Sequence, residues 1–272
     1  MNKTWLHISK TWSRWPARLF TGILAGGFFL FLGVPLASLL VHEPPALLWA
    51  AMQQPEVLQA LQLSIFTTSA STLLTVLFGL PVAYVLERRE FAGRKLLETL
   101  VTMPTVLPPV VAGVALLLTF GRFGLIGRYL APLGITLPFT TVAVVMAQVF
   151  VSSPFFVNSA RAGLEQLDAR YELAAYTLRA SPFYTFRRVI LPLVRSALLT
   201  GVGLAWARAL GELGATITFA GNFPGVTQTM PIAVYVAVES DLDAAVALSV
   251  VLMAVSFGLL LALRVGRDRL YR

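Results

Sequence analysis

The stretch that decides the fold is the first long apolar run, L-F-T-G-I-L-A-G-G-F-F-L-F-L-G-V-P-L-A-S-L-L-V, Leu19–Val41. It carries no charged side chain anywhere along its length. A helix rises about 1.5 Å per residue, so about 20 apolar residues cross a hydrocarbon core about 30 Å thick. The run is therefore long enough for a transmembrane helix, and it predicts a protein that resides in a membrane.

The composition of the whole chain also indicates membrane residence. Of the 272 residues, 57% are hydrophobic and 12% are charged, with a mean hydropathy of +0.77, whereas a soluble domain carries about 25% charged residues. The net charge of +8 comes from short basic bursts between apolar runs, which is typical of orientation signals in membrane proteins rather than of a nucleic-acid-binding face. The sequence has no cysteine and only two histidines. This excludes disulfides and thiolate metal sites, and it argues against a histidine metal centre.

Including the first apolar run, the sequence predicts six transmembrane helices. Pro104, Pro108 and Pro109 interrupt the third of them, because each proline removes a backbone donor from the helix. Backbone that faces lipid must be hydrogen-bonded internally, and the segments are too long for barrel strands, so we expect an all-α bundle. The predicted spans cover about residues 19–41, 61–86, 97–120, 140–158, 197–219 and 244–263.

The predicted organisation is one membrane domain, residues 19–264, between an N-terminal tail, residues 1–18, and a C-terminal tail, residues 265–272. A basic tail before an apolar run is also typical of a signal peptide. The run continues to about Val41, however, which is long for the hydrophobic region of a signal peptide. We therefore expect the first helix to be retained.

The distribution of Lys and Arg predicts which loops are cytoplasmic. Eighteen of the 21 lie in the two tails, after the second span, or between the fourth and fifth spans. Only Arg122 and Arg128 fall on the other side, while Arg208 lies inside the fifth span. Since basic loops are retained in the cytoplasm, we expect a multi-pass protein with both termini in the cytoplasm.

The long loop between the fourth and fifth spans, Arg161–Arg195, shows helical spacing. Ser181 and Pro182 are suited to the N-cap and first turn of a second helix, and the small pair Ala174 and Ala175 would let another surface approach closely. From these residues two interpretations stay open: two amphipathic helices on lipid headgroups, or a docking surface for a partner. The apolar positions on one helix face are Leu164, Leu167, Tyr171, Ala174, Ala175 and Leu178.

This loop resembles the cytoplasmic EAA loop of ABC importer permeases, whose pattern is E-A-A, three residues, G, nine residues and I-x-L-P. With Val189-Ile190-Leu191-Pro192 on the last element, Leu173 takes the usual glutamate position, with Glu172 just before it, and Arg179 takes the glycine position. In that family the loop forms a coupling helix that docks into a groove on the ATP-binding subunit. The resemblance implies that coupling to an ATPase involves Glu172, Ala174, Ala175, Arg179, Ser181 and Pro182.

The fifth predicted span carries two charges, Arg208 and Glu212. They are four residues apart, so on a helix they share a face and can pair. An unpaired charge at mid-membrane costs about 2.5 kcal/mol or more, so such residues normally face a bundle interior or an aqueous cavity. A purely structural ion pair and a position along a translocation path both fit. The nearby Gly211, Gly214 and Gly221 suit close helix packing.

Two runs resemble the signature of molybdate permeases, G-E-F-G-A and G-N-x-P-G-x-T-Q-T-x-P-x-A-x-Y. Here they read G-E-L-G-A, residues 211–215, and G-N-F-P-G-V-T-Q-T-M-P-I-A-V-Y, residues 221–235, with Leu213 where the family has Phe. The run M-P-T-V-L-P-P-V-V-A-G, residues 103–113, fits as well, and the resemblance covers most of the chain from about Leu61. Sulfate permeases share the motifs of the third and fifth spans, whereas the T-Q-T-x-P-x-A-x-Y run favours molybdate or tungstate.

The third and fifth spans are the predicted pore-lining helices, because broken helices at membrane depth are tolerated where they line a cavity. Backbone N–H groups and the Arg208 charge would attract a divalent oxyanion. A weak site suits a conduit, since a tight one would retain the ion. The predicted path residues are Pro104, Pro108, Pro109, Gly113, Arg208, Glu212, Gly214, Thr216 and Thr218, with Asn222, Thr227, Gln228 and Thr229 in an external loop.

The resemblance implies a six-helix permease subunit of an ATP-driven (ABC) importer that moves molybdate or tungstate by alternating access. It also implies a homodimer, two cytoplasmic ATP-binding subunits and an external oxyanion-binding protein, with the permease in the cytoplasmic (inner) membrane of a prokaryote. The sequence has no G-x-x-x-x-G-K-[ST] motif, so we expect ATP and Mg on the partner ATPase, no cofactor on this chain and no enzymatic activity of its own. The alternatives are a sulfate or thiosulfate permease and, from another class, a stand-alone secondary transporter.

Overall fold

The computed structural model describes residues 14–42, 44, 49–50 and 52–269, and among these residues the regular structure is helical, without a strand. The main helices are α1 (Arg14–His42), α2 (Pro55–Arg88), α3 (Arg94–Thr102), α4 (Pro109–Phe120), α5 (Thr141–Glu165), α6 (Arg170–Thr177), α7 (Pro182–Leu210), α8 (Gly214–Ala220), α9 (Met230–Ser240) and α10 (Leu242–Arg269). A further short helix, Gly127–Leu130, lies between α4 and α5.

Six membrane spans are present among the described residues if one broken helix is counted as a span. The helices α1, α2, α5, α7 and α10 are each long and apolar enough to cross a bilayer. The sixth is a pair, Arg94–Thr105 and Pro109–Phe120, bent by 116°. Pro108 is extended and Pro109 opens α4, where a proline is tolerated because the first turn needs no N–H. The predicted all-α protein with a proline-broken third span is confirmed.

The fifth span differs from its prediction at residues 197–219. It begins earlier, at Pro182, and ends at Leu210, and residues 214–220 form the separate helix α8. The break follows Gly211, and the Glu212 carboxylate accepts a hydrogen bond of 2.7 Å from the Ala215 N–H in the first turn of α8. A carboxylate that satisfies a free donor at a helix start stabilises that start, so the chain ends one helix and begins another here.

The helix α7 stays continuous although it contains Pro192. Just before that proline, Phe186–Ile190 form a π turn, in which the Leu191 N–H donates to the Phe186 carbonyl. A proline ring clashes with the carbonyl four residues earlier, and the wider π turn relieves that clash. Ser181 caps the first turn as predicted, through a 3.2 Å bond from the Tyr184 N–H. The prediction of a separate second surface helix is wrong, because this turn leads directly into the span.

The first helical stretch of the long loop is also divided. The single helix expected across residues 164–178 is wrong, because α5 ends at Glu165 and α6 begins at Arg170. Asp168 accepts a 2.9 Å hydrogen bond from the Arg170 N–H and so holds the turn between the two helices. The helix α9 was not among the predicted helices, although Pro231 at its first turn and the apolar run after it are signals for a helix.

The bundle is built around α2, α5 and α7, which pack closely. Gly79 of α2 and Gly201 of α7 both lie against the fully buried ring of Phe156 on α5. The pair α4 and α8 packs beside α5, and α9 packs on α10. The described side chains of α1 are almost all exposed, which suits a helix surrounded by lipid.

Two ends of the bundle can be distinguished by their contacts. The C-terminal ends of α2 and α5 meet α6 and the start of α7 at one end, which we call the basic end, where Arg88 and Arg161 form ion pairs. At the opposite end the loop 221–229 meets the start of α5, where Thr141 donates to the Val226 carbonyl. The predicted tails, residues 1–18 and 265–272, remain a prediction. Residues 1–13 and 270–272 lie outside the described residues, and the described parts of both tails are helical.

Candidate functional site

The first candidate region is a surface groove of about 640 Å³ between α6 and the start of α7. The structure brings four of the predicted coupling residues into its lining: Ala174, Ala175, Arg179 and Ser181. Pro182 is the first residue of α7, directly beside the groove. Both alanines leave room at the groove because their side chains are small. The remaining lining residues are Tyr171, Leu178, Ala180, Tyr184 and Val189.

The surface around this groove is unusually apolar for the end of a helical bundle. Leu178 is 84% exposed, Phe183 is 72% exposed and Leu173 is 61% exposed. Arg187 and Arg188 are also exposed, in the π turn of α7. Contiguous exposed apolar side chains rimmed by charge mark an interaction surface. Leu173 stands where the family pattern has glutamate, and its exposed side chain adds apolar area to this surface.

The backbone at Arg179 explains why the family pattern has glycine there. Arg179 has a φ of +59°, in the left-handed region, and it follows Leu178, the C-cap residue of α6. Its N–H donates to the Tyr176 carbonyl (2.9 Å), and the Ala180 N–H donates to the Ala175 carbonyl (3.0 Å). These two bonds form a Schellman motif, whose left-handed position is normally glycine. The departure at Arg179 changes the residue and preserves the backbone geometry.

Glu172 points away from the groove. Its carboxylate Oε1 lies 3.0 Å from Arg88 Nε at the end of α2, and both side chains are mostly buried. From the sequence, Arg88 was predicted only as an orientation charge, and its pairing with Glu172 was not predicted. The signal that could have found it is the position of an arginine at the very end of an apolar helix, where its side chain reaches a neighbouring helix end.

A second candidate region is the contact between α4 and α8, the two halves created by helix breaks. A Cβ atom added at Gly214 would lie 2.8 Å from Pro109 Cβ, and one added at Gly113 would lie 2.6 Å from Thr218 Cβ. Both glycines are therefore required for close packing of α4 against α8. Four of the predicted path residues, Pro109, Gly113, Gly214 and Thr218, are brought together here.

The charged pair lies at the same break. Arg208 Nη1 lies 2.7 Å from Glu212 Oε2, as the four-residue spacing predicted, and Glu212 Oε1 accepts from the Ala215 N–H. Glu212 is 1% exposed and Arg208 is 27% exposed. Both carboxylate oxygens are thus occupied inside the protein, while part of the guanidinium reaches the surface. The exposed part of this pair is the cation, which favours an anion near the break.

Other predicted path residues lie in different environments. Pro104 is buried in the turn Met103–Thr105, which packs on α5, whereas Pro108 is exposed at the bend. Thr216 is fully buried, and its hydroxyl has no hydrogen-bond partner among the described residues. These predicted path residues therefore differ in burial, from fully buried Thr216 to exposed Pro108.

The predicted external loop, residues 221–229, is a folded turn rather than a row of free polar groups. The Thr227 hydroxyl accepts a 3.0 Å hydrogen bond from the Phe223 N–H and is fully buried. Thr229 is buried, Gln228 is half-buried and Asn222 is exposed. Of the four residues predicted here, Asn222 and Gln228 remain accessible, and Thr227 stabilises the loop.

A network of charges at the basic end was also not anticipated. Arg161 Nη2 lies 2.9 Å from Glu98 Oε1, and Arg161 Nε lies 3.3 Å from Glu87 Oε2. Arg94 also pairs with Glu98. The network joins α2, α3 and α5. Among the described residues no cluster of His, Asp and Glu is suited to holding a metal ion.

Comparisons with known proteins bear on both regions. The family model described as "Binding-protein-dependent transport system inner membrane component" matches residues 75–266. The molybdenum transport system permease protein ModB of Mycobacterium tuberculosis is 45% identical over 241 residues, 89% of this chain and 90% of that protein. The sulfate transport system permease protein CysT of Salmonella typhimurium is 35% identical over 247 residues, 89% of each. A solved bacterial ABC transporter involved in alginate import has a TM-score of 0.73 at 15% identity, covering 94% of this chain and 95% of that chain, which shows the same fold.

Proposed function

The chain belongs to the family of binding-protein-dependent transport system inner membrane components, and from that premise we propose that it imports molybdate. It is a membrane-spanning permease subunit and not an enzyme. The observation that carries the substrate is the 45% identity to a molybdenum permease over nearly the whole chain, against 35% to a sulfate permease. The T-Q-T-M-P-I-A-V-Y run, residues 227–235, favours the same cargo.

The partners of this permease follow from the family and from the surfaces described above. The family description itself names a binding protein, which would deliver the oxyanion at the end that carries the loop 221–229. Two ATPase subunits, which would hold ATP and Mg, would bind at the basic end and supply the energy. The basic end and both termini would face the cytoplasm. We expect tungstate to use the same route, because it has the same charge and nearly the same size.

The groove between α6 and α7 is the proposed docking surface for the ATPase. A protruding apolar side chain of the partner would enter between Ala174 and Ala175, and exposed Leu178 and Phe183 would be covered by the complex. Arg179, Arg187 and Arg188 would face acidic groups of the partner. Burial of such exposed apolar side chains stabilises an interface by about 25 cal/mol per Å², which gives this surface a reason to be apolar.

The proposed translocation path runs along the two helix breaks, at residues 105–109 and 211–213. The first turn of α4 offers backbone N–H groups, because the first N–H groups of a helix have no partner inside it. Partly exposed Arg208 provides positive potential while its carboxylate partner stays buried. Such a site holds a divalent oxyanion weakly, as transport requires. As the resemblance to ABC importer permeases implies, the pore would form between two copies in a homodimer.

Uptake by reconstituted complexes tests this function. The permease, its ATPase and its binding protein are placed in proteoliposomes, and uptake of molybdate, tungstate and sulfate is measured with and without ATP. We expect ATP-dependent molybdate uptake that sulfate does not inhibit. Sulfate uptake without competition by molybdate would support the sulfate permease instead. Uptake by the permease alone, without an ATPase, would support a stand-alone transporter and contradict the proposal.

A further inference from the structure

The side chain of Arg88 joins the ends of three helices at the basic end. Its Nη2 donates to the carbonyls of Leu164 (3.1 Å) and Leu167 (3.2 Å), which belong to the C-terminal end of α5 and the turn after it. Its Nε lies 3.0 Å from the Glu172 carboxylate on α6. The side chains of Arg88 and Glu172 are 19% and 14% exposed. One guanidinium therefore connects α2, α5 and α6.

The charges of this arrangement match the helix ends. The last carbonyls of α5 have no partner inside the helix, and a cation at a helix C-terminus stabilises them. Glu172 lies in the first turn of α6, where a negative charge is also favourable. At the corner formed by residues 166–169, Arg88 therefore donates hydrogen bonds to the end of α5 and supplies the counter-charge for Glu172 at the start of α6. Because both side chains are largely removed from water, the pair is less screened than a surface salt bridge.

A second contact attaches the start of α7 to α2. Tyr84, one turn before Arg88, meets the ring of Phe186 edge-on, with centroids 5.1 Å apart and an interplanar angle of 76°. Phe186 lies in the π turn of α7. The end of α2 therefore contacts α6 through Arg88 and the start of α7 through Tyr84. The groove that receives the proposed ATPase lies between these two attached segments.

We propose that Arg88 and Glu172 are positioning residues for energy coupling, which lock α6 to the end of the transmembrane helix α2. This inference rests on the proposed function, because it assigns a role within the ATPase-driven cycle. With the ion pair present, a displacement of α6 by the ATPase moves α2 with it. Without the pair, α6 is attached by its short connections and by its packing on the start of α7, and less of its displacement reaches α2.

The test measures oxyanion uptake per ATP hydrolysed by the full complex in proteoliposomes. The variants are Glu172→Gln, which keeps the shape and removes the charge, Arg88→Lys and Arg88→Met. The matched control is Arg89→Met, which removes a charge from the next, exposed residue. We expect Glu172→Gln and Arg88→Met to lower uptake per ATP by about fivefold or more, the low end of typical coupling effects. Arg88→Lys should fall between these variants and the control.

The double variant Arg88→Met/Glu172→Gln separates coupling through the pair from two independent effects. If the residues act as one unit, the double variant should be no worse than Arg88→Met alone. Effects that multiply, or variants whose uptake per ATP equals that of the unaltered complex, would overturn the inference. Failure of Glu172→Gln to fold would assign the pair to folding, and failure of the folded variant to bind the ATPase would assign it to docking. Either result would overturn the inference. Absence of ATP-dependent uptake by the unaltered complex would instead reject the proposed function.

Discussion

Arg208 Nη1 on α7 lies 2.7 Å from Glu212 Oε2, across the break that separates α7 from α8. The same carboxylate accepts a hydrogen bond from the Ala215 N–H of α8. Glu212 thus holds the end of one helix and the start of the next, and its near-complete burial makes the arrangement sensitive to loss of either partner. The pair has a structural role at this break, and its exposed cation is also suited to attract an anion.

Replacing Arg208 tests the stability of this break. We expect Arg208→Ala to lower the free energy of unfolding by about 2 kcal/mol, because a buried carboxylate loses its counter-charge while the partly exposed arginine moderates the effect. Thermal unfolding of the purified protein in detergent measures the change. Arg122→Ala, which removes an exposed arginine, is the control and should unfold like the unaltered protein. A fully stable Arg208→Ala protein would show that the pair is dispensable.

Replacing Arg179 tests the left-handed position that ends α6. We expect Arg179→Gly to raise stability by about 1 kcal/mol, because glycine adopts a φ of +59° without the steric cost of a Cβ atom. Arg179→Ala is the matched control, since it removes the same side chain and retains the Cβ atom. Melting temperatures of the two variants give the comparison. If Arg179→Gly were no more stable than Arg179→Ala, backbone strain at this position would be negligible.

Replacing Gly113 tests the packing of α4 against α8. An alanine Cβ there would lie 2.6 Å from Thr218 Cβ and 2.8 Å from the Ala215 carbonyl oxygen, so Gly113→Ala should cost about 1–3 kcal/mol through overpacking. Gly258→Ala in α10 is the control, because no atom lies within 4 Å of its added Cβ. That control should be neutral or slightly stabilising. Equal melting temperatures for the two variants would contradict close packing at Gly113.

Replacing Ala174 tests the proposed docking groove. Ala174→Glu places a charged side chain in the groove lining, so we expect ATP-driven uptake to fall at least about tenfold, equivalent to about 1.4 kcal/mol of lost docking free energy. The protein should still fold, because Ala174 is exposed. Ala92→Glu, on an exposed loop at the same end, controls for the added charge. Normal uptake and normal ATPase stimulation in Ala174→Glu would remove the groove from the docking surface.

The sequence predicted those parts of the fold that depend on local composition. Long apolar runs, the prolines of the third span and the N-cap at Ser181 all act within one or two helical turns, so they could be located directly. The break after Leu210 could not, because Arg208 and Glu212 have the spacing of an unbroken helix. The capping bond from Ala215 to Glu212 depends on backbone geometry that spacing alone does not fix.

The candidate site shows the same division. The small pair Ala174 and Ala175 was predicted because small side chains mark close approach, and the structure places both in the groove. Glu172 was expected to face the ATPase. Only the structure shows that its carboxylate pairs with Arg88, which is distant from Glu172 in the sequence.

The sequence by itself determined that this protein spans a membrane with six apolar segments, because transfer of side chains into lipid depends on composition over about 20 residues. It also carried the motifs that identify the permease family. Tertiary structure alone decided which charges pair, where the fifth span ends and how α6 is attached to α2. Those outcomes depend on contacts of a few ångströms between residues distant in the chain, and such distances are fixed only when the helices pack.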